Sequence, residues 1–305
     1  MINNDINYKN LEKIIPPLLK SDLYKDKKFE CCPHCNSIHF IKHSKYKRIQ
    51  RYKCSECQRT FSSTTNSLWY YSKKDSNIWV KYIELFLQRK TLKECAEELN
   101  LNVATSFYWR HKILNILKSA HVYGINPEKF IGDASAKTIC FHEKKNSSVI
   151  NFVLDSYHEQ NYIIATIVKD SEDSMSITPI SRFRFDMIQF DKKVISKLDQ
   201  KSSILLNGKE RFLKVPSDGY NDSYLKRWQN KLKVVDEKLK NIGMIIGEWF
   251  SGFYGIATKY LEKYLSYFLL YHLDYCFESK EMSYSLVKLF GFIKTCNIKK
   301  SELVL

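Results

Sequence analysis

Two cysteine pairs carry the clearest chemistry in the sequence. They are Cys32-Pro-His-Cys35 and, after eighteen intervening residues, Cys54-Ser-Glu-Cys57. A Cys-x-x-Cys pair sets two thiolates at the tip of one tight turn. Two such turns brought together supply the four ligands of a tetrahedral, structural zinc site. A ribbon this small buries little core, so Zn2+ would supply much of its folding free energy. Cys31 leaves a register ambiguity, and the Cys-Pro-x-Cys form favours Cys32. His34, His39 and His43 lie nearby and read as surface groups, because four cysteines already complete the shell.

A second chemistry needs carboxylates. Asp133 falls in the run Phe130–Phe141, which reads as a strand, and Asp218 ends the run Phe212–Asp218, with Gly219 opening a turn. Side chains at strand ends of an α/β domain converge on a common site. Paired carboxylates there can hold Mg2+-type cations and activate a water or a 3′-hydroxyl for attack on a phosphodiester. A given Asp is more often a cap or a surface group, so spacing alone does not make this case.

The elements that must position these groups follow from periodicity and capping signals. Residues 1–30 read as a lead-in helix, interrupted by Pro16 and Pro17. Between the knuckles, aromatic and aliphatic residues alternate with cations, which predicts short strands with one basic face suited to phosphate contacts through Lys45, Lys47, Arg48 and Arg51. Asp75 or Ser76 caps a helix whose apolar side is Trp79, Ile83, Phe86 and Leu87. Thr91 and Glu94 then form a capping box, Leu92, Ala96 and Leu99 face inward, and Asn100 makes an αL turn. A second helix follows, held by Val103, Phe107 and Leu114. Thr105, Ser106, Tyr108, Arg110 and Lys112 are left partly outward. That is the layout of a helix-turn-helix with a recognition helix for the major groove.

Beyond Lys129 the pattern turns to strands. Val149–Leu154 and Tyr162–Val168 read as a hairpin, Ile177–Arg184 as an edge segment tolerant of Pro179, and Phe185–Leu198 as a helix. Helical regions follow at Ser223–Leu239 and Ile245–Tyr275. Strands first and helices after, with a returning strand, indicate a mixed-sheet α/β domain.

The chain has 305 residues, 49 Lys and Arg against 33 Asp and Glu, and a formal charge of +16. Such a balance calls for an anionic partner, nucleic acid first and an anionic membrane second, and the helix-turn-helix reading points to double-stranded DNA. Four clustered and five scattered cysteines do not make a secreted disulfide framework. No signal peptide is legible, and the longest apolar run, near Tyr264–Leu273, is too short to span a bilayer. No membrane partner and a cytoplasmic, nucleoid-associated location are expected.

Four stretches taken together resemble one family: CPHC…CSEC…RTFSSTT, KTLKECAEELNLNVATSFYWRHKIL, VPSDGY and FYGIATKYLEKYL. The similarity is to the zinc-ribbon DDE transposases of bacterial insertion sequences, from about Cys32 to Leu265. Phe107–Ile113 and Gly255–Leu261 are its most specific pieces. The resemblance implies an α/β, RNase H-like mixed sheet with helices, preceded by a zinc ribbon and a helix-turn-helix. It divides the chain into residues 1–70, 71–122 and 123–305. It implies a DNA cut-and-join enzyme using Mg2+ or Mn2+, and at least a dimer on DNA. Asp133 matches the first catalytic Asp, although Ala134 stands where a Glu commonly follows. Asp218 matches the second. The window for the third, Lys240–Ile246, holds no carboxylate or histidine. Asn241 is the polar group there, with Asp236 and Glu248 as alternatives outside it. Two expectations stand: an active transposase, or a decayed or domesticated one that keeps zinc-dependent DNA binding.

Overall fold

The computed structural model describes residues 29–46, 49–65, 68, 72–119, 126–143, 149–152, 162–207, 212–214, 239, 241–253 and 256–273. The chain divides into two compact units, with the boundary between Ile116 and Leu117. The expected lead-in helix lies outside the described residues except for Phe29 and Glu30, which are not helical, and the Ser223–Leu239 helix lies outside them except for Leu239.

In the first unit, β1 (Phe40–Tyr46), β2 (Ile49–Cys54) and β3 (Thr60–Ser62) form an antiparallel sheet in that order. Its core is aromatic: Phe29, Phe40, Tyr52 and Phe61 pack with ring centroids 5.0–5.7 Å apart, beside buried Cys32 and Cys54. Three helices follow, α1 (Ser76–Leu87), α2 (Leu92–Glu98) and α3 (Val103–Ser119). Asp75 caps α1, its side chain accepting from the Asn77 N–H at 2.8 Å. Both capping-box bonds are present: the Glu94 N–H donates to Thr91 Oγ1 at 3.2 Å and the Thr91 N–H to Glu94 Oε2 at 2.7 Å. Asn100 takes φ 49°, the left-handed turn its short polar side chain permits. Trp79 stacks on Trp109 at 3.6 Å and Tyr82 meets Trp109 edge-on, locking α1 to α3.

The second unit is a seven-stranded mixed sheet. Its strands are β4 (Ala134–Glu143), β5 (Val149–Phe152), β6 (Tyr162–Asp170), β7 (Met175–Arg182), β8 (Ile204–Asn207), β9 (Phe212–Lys214) and β10 (Ile256–Ala257). β4 is central. On one side it pairs antiparallel with β6, which pairs with the edge strand β7. On the other side it meets β8 in parallel at its start and β5 antiparallel at its end. The expected β5–β6 hairpin is therefore corrected: the ten-residue β4 lies between the two strands and satisfies one edge of each. Among the described residues β7 has no outer neighbour, and Pro179 sits where the β6–β7 register shifts, a place in a sheet that tolerates a missing N–H.

Helices cover both sheet faces. α4 (Met187–Lys193) is capped by Asp186 and packs Phe190 with Ala134, Ala136, Val168, Ile204 and Leu206. On the opposite face, residues 241–251 form α5, with Phe250 against Phe141 and Gly243 above Ile139. The sequence pattern runs α5 and α6 (Leu261–Leu273) together as one helix. They are separate, because β10 pairs with β5 between them. Trp249 joins them through Tyr267 and Phe268. The strand β6, buried along nearly its whole length, lies between the two helical layers. Among the described residues, no helix is long and apolar enough to cross a membrane.

One turn is strongly constrained. Gly132 has φ +66°, and a Cβ there would stand 2.4 Å from Ser171 Oγ, which donates to the Ile131 carbonyl at 2.7 Å. Gly132→Ala should lower stability by about 1–2 kcal/mol through the left-handed backbone. Thermal melts of Gly132→Ala and of Gly132→Ala with Ser171→Ala check this. Most of the loss should persist in the double variant.

Candidate metal centre and nucleic-acid interface

The two knuckles fold alike. In the first, the Cys32 N–H donates to the Ser37 carbonyl at 2.7 Å; in the second, the Cys54 N–H donates to the Arg59 carbonyl at 3.0 Å. Each bond spans five residues, and in each knuckle the residue after the second cysteine is left-handed: Asn36 at φ 62° and Gln58 at φ 56°. The repeated turn aims all four sulfurs at one point. Cys32 and Cys57 Sγ lie 3.8 Å apart, Cys35 and Cys54 Sγ 3.5 Å, and all four within 4.8 Å of one another. A tetrahedron with zinc–sulfur bonds of ~2.3 Å has edges of about 3.8 Å, so the donor set fits Zn2+ in both chemistry and size. The Cys57 backbone N–H directed at the Cys54 sulfur pulls that thiol down to about 6, which favours the thiolate a metal needs. Burial pushes the Cys32 thiol up. A bound zinc would join the knuckle before β1 to the end of β2 and the turn after it.

The expected single basic face is not what the strands form. Lys45 is exposed and pairs with Gln50, whereas Arg51 pairs with Ser44 on the opposite face and donates to Thr60 Oγ1 at 2.7 Å. A bulge between Lys42 and Ser44 shifts the register and splits the cations. Nothing in the alternation of residue types marks that bulge. Lys47 and Arg48 lie outside the described residues. Lys42, exposed on β1, adds to the Lys45 face and Lys53, half-buried on β2, to the Arg51 face; the sequence reading singles out neither.

On α3 the outward assignment of Ser106, Arg110 and Lys112 is corrected, since all three are buried. Ser106 Oγ donates to the Leu92 carbonyl at 2.9 Å, and the Tyr82 hydroxyl reaches the Ser106 carbonyl at 2.5 Å. Arg110 donates to the Lys90 carbonyl and stands over the Phe86 ring. Lys112 lies over Trp79, 5.5 Å from the ring centroid. Thr105 and Tyr108 are half-buried, and Val103, expected inside, is 49% exposed. The exposed residues of this helix are thus Val103 and Ala104 in its first turn, beside Asn102, and Lys118 near its end. Long aliphatic stems over aromatic rings explain why charge misled the helical wheel.

Burial holds Lys112 down at about 8. Between pH 8 and about 10.4 the unfolded chain binds a proton that the folded chain does not, so stability rises with pH across that window, and below it the full penalty applies. The Trp79 ring offsets part of that penalty. Lys112→Met should therefore stabilise the chain by about 1–3 kcal/mol at pH 7, with the gain shrinking towards pH 10. Thermal melts at the two pH values read it.

Asp133 precedes β4 rather than lying within it, and its Oδ1 accepts the Ser203 N–H at 2.9 Å, tying the start of β4 to the start of β8. Asn241 and Glu248 are exposed on α5, about 10 Å apart along its axis. Asp218 and Asp236 lie outside the described residues. Among the described residues, the four cysteines are the group of three or more Cys, His, Asp or Glu side chains close enough to share an ion.

Comparison with known proteins gives one informative match. Over 87 residues the chain is 24% identical to a protein described as uncharacterized in the transposable element ISH50 of Halobacterium salinarum. The matched stretch is 28% of this chain and 30% of that protein's length. No family model matches, and no solved structure matches. The chain is thus distantly similar to a transposable-element protein and carries a four-cysteine cluster fit for a metal such as zinc.

Proposed function

We propose that this chain is a transposase-related protein that grips duplex DNA at insertion-sequence ends through a zinc ribbon and a helix-turn-helix. The observation that carries the reading is the four-cysteine cluster at tetrahedral spacing beneath a cationic hairpin. Similarity to a transposable-element protein supports the direction. The second unit is read as RNase H-like. Support comes from the antiparallel β4–β6–β7 meander, with β8 parallel to β4 on the other side and helices on both faces. In this reading the working complex holds at least two copies on DNA, and Mg2+ or Mn2+ held by Asp133 and Asp218 would drive strand cleavage and transfer.

A second reading, DNA binding without cleavage, is favoured by the window Lys240–Ile246, which holds no carboxylate or histidine to complete a set with Asp133 and Asp218. The two separate in one assay. Purified chain is incubated with duplexes carrying the element's ends and Mg2+ or Mn2+. If the chain cleaves, Asp133→Ala and Asp218→Ala abolish cleavage and leave DNA affinity intact. If it only binds, wild type gives no product. Under either reading Asp133→Ala lowers stability by about 1–3 kcal/mol, because the Ser203 N–H loses its acceptor.

A further inference from the structure

The register of the β1–β2 hairpin fixes which of its cations share a face. Directly opposed residues of an antiparallel pair share a face. Phe40 with Cys54, Lys42 with Tyr52 and Lys45 with Gln50 make one face, the side of the aromatic core. Ile41 with Lys53, Ser44 with Arg51 and Tyr46 with Ile49 make the other. Simple alternation would put Lys42 and Lys45 on opposite faces, and the bulge at His43 returns them to one. Cations thus stand on both faces: Lys42 and Lys45 on one, Arg51 and Lys53 on the other. The sequence has no acidic residue between Glu30 and Glu56, so neither face is neutralised from within the ribbon. β3 pairs only with Arg51–Lys53, and β1 is an outer strand of its sheet.

A surface that lies across a duplex needs its cations on one face. A ribbon with cations on both faces suits a slot with negative charge on both walls. We infer that this hairpin enters the major groove of duplex DNA, Lys42 and Lys45 facing one phosphate backbone and Arg51 and Lys53 the other. This deepens the DNA-binding reading above and rests on it. Beyond Arg51, where β3 no longer pairs, the hairpin is two strands ~4.8 Å apart and with its side chains matches a groove about 12 Å wide that admits a two-stranded ribbon. Ile41 and Tyr46, each 63% exposed, share the Arg51 face, where a groove would offer thymine methyls as apolar contacts.

The test uses the full chain and a mixed-sequence duplex, with affinity measured from about 50 to about 200 mM salt. Two double variants are compared, Lys42→Gln with Lys45→Gln and Arg51→Gln with Lys53→Gln, each checked for retained zinc. Because Arg51 also bonds Thr60, Lys53→Gln alone is the second reading of its face. Each double variant should lower the salt slope by about 2, near 0.9 for each phosphate no longer neutralised. The major-groove dye methyl green should be displaced, while the minor-groove ligand netropsin should leave binding unchanged. A slope change from one face only, or competition by netropsin, overturns groove entry. Unchanged slopes in every variant, with tight binding kept, also overturn it and leave the helices as the DNA contact. No duplex binding by wild type defeats the DNA-binding reading itself.

Discussion

Cys54→Ser should empty the metal centre and unfold the ribbon while leaving the helices of the first unit folded. Cys54 is fully buried, its sulfur is 3.5 Å from that of Cys35, and it closes β2 against the first knuckle. The ribbon's remaining core is four aromatic rings, too little to hold three short strands without the ion. Structural zinc contributes about 10–16 kcal/mol in small domains, so losing one thiolate shifts the ribbon from folded to unfolded at neutral pH. Metal analysis should fall from one zinc per chain to none. Near-ultraviolet circular dichroism from Tyr52 should flatten, and helical signal should persist. Retention of one zinc with an unchanged spectrum would falsify the tetrahedral assignment.

Trp109→Ala should be the most damaging single change among the helices. Trp109 is 4% exposed, stacks on Trp79 and meets Tyr82, so its removal opens a cavity where α1 and α3 join. Deleting an indole from such a site costs about 3–5 kcal/mol. A buried polar network beside it, Tyr82 with Ser106 and Arg110 with Lys90, would lose its alignment. Chemical denaturation should show the loss in the first unit's transition with zinc still bound. Trp109→Phe, which keeps a ring in the slot, should recover part of it.

Local signals were legible in the sequence where a few neighbouring residues determine the outcome. The Thr91 and Glu94 box, the Asp75 cap, the Asn100 turn and the two knuckles each depend on short-range hydrogen bonds that their residue types announce. Features set by distant partners were not. β8 is four residues long with no alternation, and it exists because β4 offers a free edge at its start. Lys112 and Arg110 read as outward charges, but their stems lie over Trp79 and Phe86, rings supplied by another helix. Lys45 and Arg51 look like one basic face until the bulge at His43 separates them. Asp133 reads as a catalytic acid from its motif, while its bond to Ser203 depends on a strand seventy residues later.

The most direct test of a metal-held DNA grip follows zinc and DNA together. Chain stripped of metal by a chelator is titrated with Zn2+ while duplex affinity and metal content are read on the same samples. Affinity should return in step with the first equivalent of zinc, and chain carrying Cys54→Ser should recover none. Full affinity in the stripped chain, or no gain as zinc binds, would contradict the account.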